Sequence, residues 1–390
     1  FIPASTNPDI LPDTPSGVSG SSKLAKITDG AVSFDGTGDN LAFSLASGGF
    51  GSGDFTLEYF FYQNTLTNYQ THFGVTRGVN GFNVGSQAAG NVVFYDSNGG
   101  GSVKLDTGAG GVGVKRWYHV AFVRSGTTIT GYLDGVSFGT YTSSVDYSAT
   151  TCAIGSIENN AEYTNGIISN FRINVGTALY TSNFTPPSAP LTNVTNTKLL
   201  CCQSNSSANS VAVSPATFSN SGDVYSSGIS GSQDNTNGGG SAAAFDGQLG
   251  NEDGFGSYPN PGQTLTWTAA NSDLGTTLAY SSTIRVYVNV DTNGDDGGLT
   301  VVGNNGSQTI SAGSAGGRWV DISAATSPIT SIAWSRASSG SQGVTLVAVE
   351  VDGCLLIDGF NGKAIARSGD TASTNFNPFN TDINTVRGQE

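Results

Sequence analysis

Charged side chains are scarce in this chain. Of 390 residues, 15 are Lys or Arg and 29 are Asp or Glu, so charged residues make up 11% of the chain, against about 25% in average proteins. The formal net charge is −14, and a negative field over the whole molecule repels phosphate backbones. We therefore expect no nucleic-acid partner, and a surface made largely of Ser, Thr, Asn and Gly.

Methionine, long apolar runs and helical patterns are absent as well. No Met occurs, even at position 1, so we expect a processed chain or a piece of a longer one. No apolar run reaches the length of a membrane span, so no membrane insertion is expected. No stretch combines helical periodicity with caps. Together with 55 glycines, about twice the average frequency, this predicts an all-β protein with many short strands.

Cysteine is rare, with four residues: Cys152, Cys201, Cys202 and Cys354. Neighbouring side chains in a strand point to opposite faces, so Cys201 and Cys202 should not share one partner. Only two His occur and no C-x-x-C motif is present, which argues against zinc. We expect four buried apolar thiols, with a Cys152–Cys201 disulfide as the alternative.

One stretch, RWYHVAFVRSGTTITGYLDGVSFGTY at residues 116–141, shows the strand pattern most clearly. Strict alternation bounded by Gly, Ser and Asp predicts a β-hairpin. Tyr118, Val120 and Phe122 should lie on one face and the residues between them on the other. Asp134 and Gly135 are the residue types that accept positive φ in a tight turn.

Turn and linker signals divide the chain into five segments. Strand patterns separated by turns every 8–12 residues are typical of β-sandwiches, and clustered prolines exclude a regular ladder near the N-terminus. The predicted segments are an extended Pro- and Ser-rich arm (1–27), a first sandwich (28–203), a Ser-, Asn- and Gly-rich linker with one or two short strands (204–241), a second sandwich (242–360) and an extended C-terminal tail or connection to a further module (361–390). The arm should become ordered only by docking on a partner chain or a neighbouring module.

Four motifs of the first sandwich occur in a characteristic order. They are FDGTGDNLAF (34–43), FTLEYFFY (55–62), WYHVAFVRSGTTITGYLDG (117–135) and IGSIENNAEYTNGIISNFRINVGTALY (154–180). In this order and spacing they resemble the laminin-G-like, concanavalin A-like jelly-roll family. The resemblance implies that the FDG strand pairs with the ISNFRI strand. It also implies that Phe34, Phe171 and Ile173 belong to the core.

Two further stretches resemble phage proteins and another sandwich class. Residues 176–204, GTALYTSNFTPPSAPLTNVTNTKLLCCQS, look like the tail of this domain in structural proteins of marine, cyanophage-like bacteriophages. In the second sandwich, AFDG (244–247) and LVAVEVDG (346–353) resemble discoidin-like domains.

The resemblance to phage proteins implies a structural virion protein: a tail-fibre, capsid-fibre or decoration component that is not an enzyme. Its implied location is the virion or the extracellular space. Its implied partners are other virion proteins and like subunits in a homo-oligomer, and a contribution to host-surface attachment is left open.

Two acidic stretches raise the question of calcium, the one cofactor that we consider. Asp291, Asn293 and Asp295 follow a D-x-N-x-D pattern, but Asp296 and Val302 stand where a calcium loop needs Gly and Glu. An acidic hairpin tip is the preferred interpretation, with a loose Ca²⁺ site as the alternative. Turn chemistry is likewise preferred over metal binding for the acids of residues 35–39 and for Glu58.

The alternative function is that of a carbohydrate-binding adhesin or lectin module of a phage or bacterial surface protein. No strand carries the paired carboxylates of a glycosidase and no G-x-S-x-G motif occurs, so catalysis is not expected. Aromatic side chains in loops can instead stack on sugar rings. We predict a host-glycan site at Tyr69, His72, Asn80 and Phe82, with the rings as platforms and Asn80 as a hydrogen-bonding neighbour.

Overall fold

The structure is a computed structural model. It describes residues 30–379 apart from 77, 79, 99–100, 158–160, 215, 235–238, 251–255, 291–297, 312–315 and 337–342. The predicted N-terminal arm (1–27), the end of the chain (380–390) and the calcium candidates Asp291, Asn293 and Asp295 lie outside the described residues. The described part contains β-strands and short 3-10 helices but no α-helix, which confirms the all-β prediction. It includes no helix with the length and apolarity of a membrane span.

Strands occur along the whole described part. In chain order they begin with β1 (Ala31–Asp35), β2 (Asn40–Ser44), β3 (Phe55–Gln63), β4 (Gln70–Val75), β5 (Phe82–Gln87), β6 (Asn91–Asp96), β7 (Ser102–Asp106), β8 (Trp117–Ser125), β9 (Thr128–Leu133), β10 (Val136–Thr142), β11 (Thr151–Ile154), β12 (Asn165–Val175), β13 (Thr197–Cys201) and β14 (Ser210–Val213). They continue with β15 (Asn220–Ser221), β16 (Ile229–Ser230), β17 (Gln248–Leu249), β18 (Thr264–Thr268), β19 (Ile284–Val290), β20 (Gly298–Gly303), β21 (Ser307–Ser311), β22 (Gly316–Asp321), β23 (Ile329–Ser335), β24 (Val344–Val351), β25 (Cys354–Leu355), β26 (Asn361–Ala364), β27 (Ala366–Ser368) and β28 (Ala372–Thr374). The 3-10 helices include Tyr225–Gly228, Ser241–Phe245 and Ala269–Asn271.

Two sheets pack face to face in the first sandwich. The first sheet has the order β10-β9-β8-β3-β12-β13-β14-β26-β15, with β1 pairing with both β12 and β28. The second has the order β17-β27-β2-β11-β4-β5-β6-β7. A cluster of buried aromatic and aliphatic side chains fills the space between them. Alternation along the strands sends every second side chain into this core and leaves the others on the outer faces.

The predicted hairpin and strand pairing of this sandwich are confirmed. Tyr118, Val120 and Phe122 of β8 lie in the core, and the residues between them face outward. Strand β1 pairs with β12, as the family resemblance implied. The three implied core residues, Phe34, Phe171 and Ile173, are fully buried. The turn residues Asp134 and Gly135 have φ of 47° and 77°.

The second sandwich has smaller sheets. One has the order β16-β18-β23-β20-β21 and the other β22-β19-β24-β25. Trp267 and Trp334 are fully buried between them, and each indole N–H donates to a backbone carbonyl, at 2.9 and 2.7 Å. The alternating apolar residues of β19 point into this core, as the sequence pattern predicted. A separate apolar cluster, which includes Tyr287 and Ala366, packs between the two sandwiches.

The chain returns to the first sandwich after the second. Residues beyond 360, expected to be an extended tail, form β26, which pairs with β14, then β27, which pairs with β2, and β28, which pairs with β1. Phe376 then packs against the rings of Tyr62 and Trp117 on the outer face of the first sheet. Residues 204–241, expected to be a linker, contain β14, β15, β16 and a 3-10 helix. These strands are short; β14 pairs with the preceding β13 and with β26, whereas β15 and β16 pair with β26 and β18 further along the chain.

The four cysteines are all buried, and none of them forms a disulfide. Cys201 and Cys202 were expected to point to opposite faces, and this prediction is wrong. Strand β13 ends at Cys201, and Cys202 has a φ of 57°, which breaks the alternation. Both thiols therefore lie in the first core, with 3.7 Å between their Sγ atoms.

Candidate functional site

A cavity of about 160 Å³ lies on the outer face of the second sheet, over β4 to β7. Its walls combine aromatic, aliphatic, amide and carboxylate groups. The lining residues are Tyr69, Gln70, Thr71, Asn83, Val84, Gly85, Ser86, Gln87, Val93, Tyr95, Val103 and Glu162. Inward residues of the same strands, such as Phe82 and Phe94, belong to the core. Most of the lining residues are thus the outward ones of these strands, and the core residue Val84 also reaches the cavity.

Tyr69 is the most exposed aromatic residue of this site. Its side chain is 61% exposed, and Val103 on the same cavity is 40% exposed. Tyr69 precedes β4 and has a φ of 60°, a conformation that is rare and strained for a bulky residue. Backbone strain of this kind is concentrated at functional sites. The local structure therefore presents a tyrosine to solvent instead of folding it against the sheet.

Gly85 and Glu162 shape the cavity through close contacts with residues of β4. Gly85 lines the cavity, and a side chain on it would collide with the carbonyl oxygen of Gln70. Glycine at this position keeps the surface of the sheet open. The Thr71 hydroxyl donates to Glu162 Oε2 at 3.0 Å, and the Thr71 N–H donates to the Glu162 carbonyl at 2.8 Å. These bonds hold the Glu162 carboxylate at the rim.

Two of the four predicted glycan residues cannot contact a ligand. Phe82 was expected to offer its ring to a sugar, but it is 0% exposed and packs against Phe50 and Phe94 in the core. His72 is also 0% exposed; its Nδ1 lies 3.1 Å from the hydroxyl of Tyr59. Both predictions are wrong because these residues lie at inward positions of β4 and β5, not in a loop.

The remaining two predicted residues, Tyr69 and Asn80, do not lie in the same site. Tyr69 lines the cavity, whereas Asn80 is not among its lining residues. Asn80 has a φ of 55° and its Nδ2 donates to the Ser148 hydroxyl at 3.1 Å, so its side chain connects two loops. Sequence reasoning missed Asn83, Gln87 and Glu162. A signal for the first two was present, since alternation from an inward Phe82 places residues 83, 85 and 87 on the outer face.

A buried charged cluster lies on the outer face of the first sheet. Glu58 accepts hydrogen bonds from Arg172 Nε at 3.0 Å, from the hydroxyl of Tyr180 at 2.9 Å and from His119 Nε2 at 3.2 Å. Burial favours a higher pKa for Glu58, but the hydrogen bond from His119 and the charge of Arg172 outweigh burial and lower the pKa. Glu58, His119 and Arg172 are buried beneath Tyr180 and Phe184, so this cluster holds the sheet and its covering segment together.

Comparison with known proteins places the first sandwich in a class. Residues 35–177 match the sequence model of a laminin-G-like family described as the concanavalin A-like lectin/glucanases superfamily. Residues 35–177 of the first sandwich are therefore similar to concanavalin A-like domains. No curated protein matches the chain significantly.

Solved structures with similar folds come from several organisms. A heptameric SAP-like pentraxin from Limulus polyphemus has 19% identity over 40% of this chain and 79% of its own, with a TM-score of 0.32. Domain 4 of an extracellular GH43 arabinanase from Geobacillus stearothermophilus, solved with arabinotriose, has 20% identity over 43% and 79%, with a TM-score of 0.31. The CBM40 domain of a Ruminococcus gnavus sialidase, solved with α2,3-sialyllactose, has 13% identity over 39% and 95%, with a TM-score of 0.31.

Proposed function

We propose that this chain is a non-enzymatic carbohydrate-binding protein that uses the cavity on the outer face of the second sheet. The observation that carries the proposal is Tyr69, which is 61% exposed in a left-handed conformation beside that cavity. The match of the first sandwich to a superfamily that contains lectins supports the same function. A carbohydrate-binding role suits a protein that works outside the cell or on a virion.

The chemistry of the cavity suits a neutral oligosaccharide. Tyr69, Val93 and Val103 supply apolar surface, on which the C–H face of a sugar ring can pack. Gln87 and Glu162 supply donors and acceptors for sugar hydroxyls. None of the described residues that line the cavity is Lys or Arg, so an anionic sugar would have no cationic partner among them.

The test compares Tyr69 variants on an array of neutral and acidic oligosaccharides. We expect Tyr69→Ala to abolish binding, because the stacking surface is lost, and Tyr69→Phe to retain it. Phe376→Ala is the matched control, since Phe376 is an exposed aromatic residue on the other sheet of the same sandwich. Melting temperatures should agree between Tyr69→Ala and the parent. Equal glycan binding by parent and Tyr69→Ala, or binding confined to sialylated glycans, would contradict the proposal.

A structural role in a virion is the second candidate. It is supported by the resemblance of residues 176–204 to phage structural proteins. In the structure this segment packs on the first sheet, and the carbonyl of Thr192 accepts from Arg172 Nη1 at 2.8 Å. The test measures the copy number of the chain in purified particles of its source. A structural component should be present at a fixed copy number, and this number should fall when residues 1–27 are deleted. Absence of the chain from the particle would contradict the structural role and leave carbohydrate binding as the remaining proposal.

A further inference from the structure

Three carboxylates from distant parts of the sequence meet at one edge of the first sandwich. Asp35 is the last residue of β1, Asp39 precedes β2, and Asp370 lies in the turn between β27 and β28. One oxygen atom from each carboxylate lies within 4.8 Å of the other two. Oxygen ligands at 2.3–2.6 Å from a single Ca²⁺ can be no more than about 5 Å apart. The spacing of the three oxygens is therefore compatible with one coordination shell.

Strand pairing and turn hydrogen bonds hold these residues in place. The N–H of Asp35 donates to Asp39 Oδ2 at 2.8 Å, and the N–H of Thr37 donates to Asp35 Oδ1 at 2.6 Å. The turn with Asp370 is placed by two pairings, β27 with β2 and β28 with β1. Gly369 has a φ of 67°, and a side chain there would collide with Asp39 Oδ1. Glycine thus allows the returning segment to approach Asp39 closely.

Asp39 provides an independent sign that a cation belongs here. Its side chain is 1% exposed, and its Oδ1 atom has no hydrogen-bond partner. None of the ion pairs found between described residues involves Asp35, Asp39 or Asp370. A buried carboxylate oxygen without a partner is costly, and a bound cation removes that cost.

We propose that Asp35, Asp39 and Asp370 form a Ca²⁺ site that fastens the returning C-terminal segment to the first sandwich. Calcium suits an all-oxygen set of carboxylates with irregular spacing, and the exposed positions of Asp35 and Asp370 leave room for water ligands. The ion links the family domain, which contains Asp35 and Asp39, to a segment that follows the second sandwich. None of the three residues lines the carbohydrate cavity, so this site does not depend on the proposed function.

The experiment titrates CaCl₂ into the full chain by calorimetry after dialysis against EGTA. The reference protein of this experiment, called the parent below, is the full chain with Asp291→Asn and Asp295→Asn, which remove the other calcium candidate. We expect one ion per chain, and a loss of affinity of at least about tenfold in Asp39→Asn and in Asp370→Asn. Asp146→Asn is the matched control, because Asp146 is an exposed acid outside the group, and it should bind as the parent does.

Two further readouts separate ligand loss from misfolding. In EGTA, Asp39→Asn should melt no lower than the parent, because the amide oxygen still accepts from the Asp35 N–H and the carboxylate repulsion is gone. Calcium should then raise the melting temperature of the parent but not of the variant. Calcium should also slow tryptic cleavage after Arg367 in the parent. No calcium binding by the parent, equal binding by Asp39→Asn, or an equal stabilisation of the parent by magnesium would overturn the proposal.

Discussion

We expect His72 to remain uncharged far below neutral pH and to make the protein sensitive to acid. Its Nδ1 lies 3.1 Å from the Tyr59 hydroxyl, and its Nε2 lies 3.2 Å from Gln63 Oε1. The amide nitrogen of Gln63 donates to Gln70, so Gln63 Oε1 is an acceptor for His72. A neutral imidazole with its proton on Nε2 satisfies every partner. A second proton on Nδ1 would leave the Tyr59 O–H without its acceptor and create a buried cation.

The size of the effect follows from the pKa of His72. Burial lowers this pKa from 6.5 to about 3. Between these two pKa values His72 is protonated in the unfolded chain but not in the folded chain. The free energy of unfolding therefore falls as the pH falls below about 6.5. The loss is ~2 kcal/mol between pH 7 and pH 5 and ~4 kcal/mol by pH 3, at 1.36 kcal/mol for each pH unit between the two pKa values, because at pH 3 about half of the folded molecules also bind the proton.

The assay must remove one group that acts in the opposite direction. Burial raises the pKa of Asp39 from 3.8 to about 6. Protonation of Asp39 therefore stabilises the folded state as the pH falls. We would therefore measure urea unfolding at pH 7 and pH 5 in the Asp39→Asn chain, with and without His72→Gln. The chain with His72 should lose ~2 kcal/mol more between the two pH values. The same loss in both chains, or a His72 imidazole that titrates above pH 5 by NMR of the folded protein, would refute this reasoning.

Three other substitutions test the core, the charged cluster and the returning segment. Phe82→Ala should lower the free energy of unfolding by about 3–5 kcal/mol in urea, because it removes a fully buried ring; a loss below about 1 kcal/mol would mean that the ring is exposed. Arg172→Met should cost about 3–5 kcal/mol, because it leaves the Glu58 carboxylate buried beside fewer donors, and adding Glu58→Gln should restore part of that loss. Gly369→Ala should speed hydrogen exchange in β27 and β28, because its new side chain collides with Asp39; unchanged exchange there would contradict the close approach.

Local pattern was sufficient for the hairpin and for most strands of the two sandwiches, but not for the short strands beyond residue 360. Alternation assigned Tyr118, Val120 and Phe122 to the core without knowledge of any partner strand, because a strand with one buried face must alternate. The pairing of β1 with β12 required the family resemblance, since nothing local to either strand identifies its neighbour. Trp267 and Trp334 of the second core lie on strands of the same alternating kind.

The features that the sequence did not reveal depend on backbone conformation or on long-range pairing. Cys202 leaves the strand pattern because its φ is positive, which alternation does not anticipate. Phe82 was treated as a loop residue, although alternation along β5 places Phe82 on the core face and Asn83 on the outer face. Asp370 reaches Asp35 only because β28 pairs with β1 across the length of the chain.

The most direct test of the carbohydrate proposal is a crystal structure of the chain with the neutral oligosaccharide that binds it best on the array. The account predicts a sugar ring stacked on Tyr69, with its hydroxyls bonded to Gln87 or Glu162 over the outer face of β4 to β7. A sugar bound at another surface of either sandwich, with Tyr69 free of contact, would contradict it.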